Sequence, residues 1–104
     1  MTTSIPEAPN SGRNWDYRYC WLRDAYFVVD ALHKLGDSTT TQRYVDFVMG
    51  VLARVGNEVG PLYNIEGGPI PVEREAPHLA GYRGMGPVRV GNEARVQRQH
   101  DFYG

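Results

Sequence analysis

Trp21-Leu22-Arg23-Asp24-Ala25-Tyr26-Phe27-Val28-Val29-Asp30-Ala31-Leu32-His33-Lys34-Leu35-Gly36 carries apolar residues at Trp21, Leu22, Ala25, Val28, Val29, Leu32 and Leu35. Their separations alternate around three and four residues, which is the stripe of an amphipathic helix. Gly36 is placed as its C-terminal stop. Asp24 falls near the positive N-terminal end, where a carboxylate is favoured. A second helix is expected almost at once, capped by Ser38 or Thr39. Tyr44, Val45, Val48, Val51, Leu52 and Val55 form its buried face, and Gly56 ends it. The short link at Gly36-Asp37 makes the pair an antiparallel hairpin over 21–55.

Upstream, residues 1–20 are a polar lead-in and loop, punctuated by Pro6, Pro9 and Gly12. Downstream, 56–91 is rich in glycine and proline and reads as a long site-lining loop. Within it, Leu62–Ile65 and Ile70–Val72 flank a Gly-Gly-Pro turn and are candidates for a short β-hairpin. Asn92 is placed as the cap of a third helix starting at 92–104 and running to Gly104. The fold class expected is all-α, with about three helices.

Composition narrows the function. The chain has 104 residues with 11 Lys+Arg against 12 Asp+Glu, a net charge of -1. That balance argues against a general nucleic-acid or anionic-membrane partner. A single cysteine, Cys20, excludes an internal disulfide framework. His33, His78 and His100 are too scattered for a metal site, so neither a metal nor a cofactor is expected. No apolar run reaches membrane-spanning length and no secretory signal is visible, which points to the cytoplasm.

The densest chemistry lies in Arg13-Asn14-Trp15-Asp16-Tyr17-Arg18-Tyr19-Cys20-Trp21-Leu22-Arg23-Asp24-Ala25. It packs two Trp, two Tyr, three Arg and two Asp into thirteen residues. Sugars present apolar C–H faces and a ring of hydroxyls, which aromatic platforms and directed Asp and Arg groups can hold. Arg23 beside Asp24 is such a donor–acceptor pair. The competing reading makes Trp15 and Trp21 core anchors, with Arg13, Arg18, Asp16 and Asp24 in caps and salt bridges. Cys20, between bulky aromatics, reads as a small filler rather than a nucleophile. Nothing in the spacing of Glu66, Glu73 and Glu75 marks a catalytic pair, and loop glutamates are ordinarily solvated. Arg83, Arg89, Arg95 and Arg98 read as helix-flank and loop anchors.

This same stretch, with Thr2-Thr3-Ser4-Ile5-Pro6-Glu7 before it, closely resembles the start of the catalytic domain of glycoside hydrolase family 15. His78-Leu79, Gly81-Tyr82-Arg83-Gly84, Pro87-Val88-Arg89-Val90-Gly91-Asn92 and Gln97-x-Gln99-x-Asp101-x-Tyr103-Gly104 resemble the next signature in order. The resemblance spans essentially the whole chain and implies part of an (α/α)6 toroid. It implies an exo-acting, inverting α-glucoside hydrolase of glucoamylase type, with a trehalase as the alternative. Tyr17, Trp21, Arg23 and Asp24 are then expected to bind the terminal glucose, and Tyr82 and Arg83 to border the leaving sugar. An inverting enzyme needs a general acid and a general base on opposite faces of the bond. The resemblance places both beyond Gly104, so the implied substrate is an α-glucoside of a longer protein and this chain alone is expected to be inert. Helix faces left without neighbours would favour loose packing or aggregation. From a different class, a noncatalytic sugar-binding module or a helical interaction protein would use the same aromatics.

Overall fold

The computed structural model describes residues 5–99. Two helices dominate: α1 at Leu22–Lys34 and α2 at Ser38–Val55. Gly36, at φ 95°, turns the chain between them. The cap of α2 is Asp37 rather than Ser38 or Thr39. Its Oδ1 accepts from the Thr40 N–H at 2.9 Å and its Oδ2 from the Thr40 hydroxyl at 2.6 Å. A carboxylate one residue earlier satisfies an orphan amide and also faces the positive end of the helix.

Two short antiparallel ladders complete the frame. β1 (Cys20–Trp21) pairs with β2 (Leu62–Tyr63), and β3 (Arg74–Glu75) pairs with β4 (Arg89–Val90). The hairpin expected between Leu62–Ile65 and Ile70–Val72 does not form. The turn closes on itself: Asn64 Oδ1 accepts from the N–H groups of Glu66 and Gly68, both at 2.9 Å. Pro69 and Pro71 have no N–H with which to build a ladder. Leu62–Tyr63 pairs instead with the sequence-distant Cys20–Trp21, while Ile70–Val72 joins no ladder and the next strand begins only at Arg74.

The core is small. Leu22, Val51 and Tyr63 form its centre, with Cys20, Phe47, Val48, Val55 and Val59 packed around them. Tyr44 donates from its hydroxyl to the Leu22 carbonyl at 2.6 Å, tying α2 to the start of α1. Several residues of the expected apolar stripes stay exposed instead: Val28 at 60%, Leu35 at 84%, Val45 at 46% and Leu52 at 36%. Tyr26, Phe27 and Met49 are exposed with them. Helix periodicity is present, but the described chain has nothing to lay against the outer faces. The radius of gyration, 15.7 Å, exceeds the roughly 13 Å of a compact domain of this length.

The third helix is corrected too. Asn92 does cap, its Oδ1 accepting from Ala94 N–H at 3.0 Å. Only one 3₁₀ turn forms beyond it, at Glu93–Val96, and Gln97 leaves that turn extended at φ -74° and ψ 144°. The apolar stripe there is thin, and a helix with little to bury gains too little to propagate. Residues 100–104, on which the rest of the expected helix falls, lie outside the described residues.

Candidate functional site

The segment leading into α1 alternates with a period of two. Asn14 and Asp16 point inward and are fully buried, while Trp15, Tyr17 and Tyr19 line a concavity. Side chains of an extended chain fall on opposite sides at successive residues, so one short stretch supplies both a foundation and a wall. β1 then brings Trp21 into the same wall. The extended backbone of Trp21 turns the chain into α1, whose first turn presents Arg23 and Asp24.

The concavity has a volume of about 770 Å³, within the range of small-ligand sites. It brings together Tyr17, Trp21, Arg23 and Asp24. Trp15, Tyr19, Cys20 and Val28 extend that wall, and Glu73, Asn92, Glu93 and Gln97 stand as its polar remainder. Tyr17 and Trp21 lie with ring centroids 5.8 Å apart and planes tilted by 47°. Arg23 Nη2 is 3.5 Å from Asp24 Oδ2. The pair is thus close enough to orient each side chain, yet open enough to receive hydroxyl groups. Glu7 Oε1 accepts from Trp15 Nε1 at 2.9 Å and from the Tyr17 hydroxyl at 3.4 Å. Burial raises the Tyr17 pKa, and the neighbouring Glu7 carboxylate raises it further, so the phenol remains a neutral donor at pH 7.

Beneath this wall Asp16 holds the site together. Its carboxylate accepts from Arg18 Nε and Nη2 at 2.8 and 2.7 Å, from the Tyr19 hydroxyl at 2.8 Å and from Gly91 N–H at 3.0 Å. Burial pushes the Asp16 pKa upward, but these hydrogen bonds outweigh it and the net shift is downward. The group is therefore a charged, fully buried and satisfied anchor. The Asp16 carbonyl also accepts from Asn92 Nδ2 at 3.1 Å, joining the first wall to the 3₁₀ turn. For Asp16 and Arg18 the structural reading of the sequence is what the contacts bear out. Burial raises the Cys20 thiol pKa, keeping it protonated and unreactive at neutral pH.

Tyr82 and Arg83 do not line the concavity. They form a separate 3₁₀ turn with the Arg83 guanidinium 5.3 Å from the Tyr82 ring centre. Sequence reasoning misses Asn92, Glu93 and Gln97 as wall residues, and it takes Glu73 for a solvated loop charge. The Glu73 side chain is only 20% exposed and lies 3.6 Å from Arg89 Nε. No local spacing signals this, because its partner comes from β4. Of the long loop, Glu73 alone lines the concavity, so most of the lining comes from residues 15–28 and 92–97. Among the described residues no cluster of three His, Cys, Asp or Glu could hold a metal ion. Nor is any helix among them long and apolar enough to cross a membrane.

Aromatic faces, a guanidinium–carboxylate pair and a polar far wall thus surround one concavity. Comparison with known proteins gives the family. Residues 1–104 match the family described as Glycosyl hydrolases family 15, and the chain belongs to that family. It is 44% identical over 106 residues to a trehalase of Mycobacterium tuberculosis (99% of this chain, 16% of the relative). It is 43% identical over 103 residues to a trehalase of Thermoplasma acidophilum (99% and 17%). Against trehalase 2 of Sulfolobus acidocaldarius the identity is 40% over 104 residues (99% and 18%). The chain therefore spans less than a fifth of the length of these relatives. No solved structure gives a significant match.

Proposed function

We propose that this chain is the glucose-gripping part of an α-glucoside hydrolase of trehalase type. The observation that carries the reading is the meeting of Tyr17, Trp21, Arg23 and Asp24 at one concavity of about 770 Å³. Trp21 and Tyr17 offer apolar faces to a pyranose ring. Arg23 donates to ring hydroxyls, and Asp24 accepts from them in the positive field of the α1 N-terminus. Tyr17, as a neutral phenol, presents its oxygen to the reacting carbon, where positive charge develops as the glycosidic bond breaks.

The residue pattern ranks a glucoamylase ahead of a trehalase. The names of the relatives favour the trehalase. The polar far wall suits either reaction, since the leaving sugar of trehalose or of a malto-oligosaccharide is a glucose unit that needs hydrogen-bonding groups of its own. Glu73, Asn92, Glu93 and Gln97 supply donors and acceptors there. The general acid and base of the inverting reaction are assigned to no residue of this chain.

The test is a chimera in which residues 1–104 replace the matching stretch of the M. tuberculosis trehalase. It should hydrolyse trehalose in preference to maltose. Asp24→Ala in that chimera should lower kcat/KM for trehalose by about a hundredfold, the loss of a hydrogen bond to a charged group. A folded chimera indifferent to Asp24→Ala, or one that prefers maltose, overturns the reading.

A further inference from the structure

Two walls of the concavity meet at a side chain that lines neither. Arg89 sits on β4 with its side chain 18% exposed. Its guanidinium carbon lies 4.9 Å from the Trp15 ring centre. Nη1 donates to the carbonyls of Gly12 at 3.0 Å and Asn14 at 2.9 Å, the backbone on either side of Arg13 and immediately before Trp15. Nε lies 3.6 Å from Glu73 Oε1, and Nη2 lies 3.6 Å from Glu75 Oε1. The other Glu73 oxygen accepts from the Glu93 N–H at 3.2 Å, at the start of the 3₁₀ turn. Trp15, Glu73 and Glu93 all line the concavity.

We infer that Arg89 is the positioning residue of this site: its guanidinium fixes the face of Trp15 toward the ligand and the separation of the aromatic wall from the Glu73–Glu93 wall. The inference rests on the sugar-binding reading for its ligand, but not for its geometry. A planar group with five donors is needed, because the contacts radiate in different directions from one plane while one face covers an indole. Lysine keeps the charge but cannot bridge two carbonyls, two carboxylates and a ring at once. A mostly buried Glu73 also needs its cation in place, since an unpaired carboxylate there would draw water or swing outward. Glu75 is the contrasting partner: its side chain is 61% exposed and it does not line the concavity.

The experiment uses the full chain and two readouts. In a Trp21→Phe background Trp15 is the sole tryptophan. Adding Arg89→Lys there should raise acrylamide quenching of Trp15 about twofold, the scale of a lost cation–π contact, whereas Glu75→Gln should leave it unchanged. Far-UV circular dichroism confirms that each variant retains its helices. Separately, with both tryptophans present, Arg89→Lys should weaken trehalose binding about tenfold, and only about twofold once Trp15 is also changed to Leu. Unchanged Trp15 quenching in the lysine variant overturns the inference, as does an affinity loss that Trp15→Leu leaves undiminished. If the parent chain binds no α-glucoside, the proposed function fails, and the quenching result alone decides the role of Arg89.

Discussion

Between Leu22 and Val55 the chain is two helices joined by three residues, whereas between Gly56 and Asn92 regular structure shrinks to two-residue strands and a single 3₁₀ turn. The helices are held by a handful of apolar contacts around Leu22 and Val51 and leave Phe27 and Leu35 exposed. The irregular region is tied by polar groups across long stretches of sequence: Asn14 Nδ2 to the Met85 carbonyl, Arg89 to Gly12 and Asn14, Gly91 and Asn92 to Asp16. Regularity and cross-linking are thus divided between the two regions. A helix satisfies its own backbone groups and needs partners only for its apolar faces. A loop must find partners for its buried polar groups, and the bonds of Arg89 to Gly12 and Asn14 and of Asn92 to Asp16 also place walls of the concavity.

The contrast can be broken most severely at Gly91. Its φ is 84°, and a Cβ there would stand 2.6 Å from the carbonyl oxygens of both Pro71 and Val72. Gly91→Ala should cost about 3 kcal/mol, combining left-handed strain with a backbone clash. Hydrogen exchange should show protection lost around residues 72–92 while α1 and α2 keep theirs. Equal loss in both regions would show that they do not open independently.

Next in size is Asp16→Asn. The amide keeps the volume but cannot accept from Arg18, Tyr19 and Gly91 together, and a cost of about 2 kcal/mol in urea denaturation is expected. The pH profile sharpens this. Asp16 is held below the ordinary aspartate value of 3.8 when folded. The unfolded chain therefore binds the proton first, and stability from this group is complete above that value and lost as pH falls through the lower folded value. The asparagine variant should lack this contribution, so its stability gap from the parent should narrow below pH 4.

Smaller effects belong to the hairpin. Asp37→Ala removes the α2 cap and should lower the melting temperature by a few degrees in a thermal scan, without changing sugar binding. Smallest of all, Phe27→Ser on the outer face of α1 should alter stability by about 0.5 kcal/mol or less. The same change should reduce self-association in sedimentation velocity, because Phe27 is 62% exposed.

The hairpin is legible in the sequence because its signal is local. Three- and four-residue spacing, Gly36 and Gly56 place α1 and α2 within a residue or so of their observed ends. Val28, Val45 and Leu52 are misplaced as buried because periodicity reports which side is apolar, not whether anything covers it. The loop is legible only as a loop. Its strand partners, Cys20–Trp21 for Leu62–Tyr63 and Arg74–Glu75 for Arg89–Val90, lie far apart in sequence and carry no short-range mark.

The amino-acid order alone determined the helix pair, the clustering of aromatics with Arg23 and Asp24 at the mouth of α1, and the family resemblance, because each is written in neighbouring residues. Tertiary structure alone decided that Asn92, Glu93 and Gln97 complete the concavity, that Glu73 is a paired wall group, and that Tyr82 and Arg83 stand apart from it. The physical reason is that a buried charge takes whichever partner the fold delivers, and Asp16 and Arg89 find theirs across most of the chain's length.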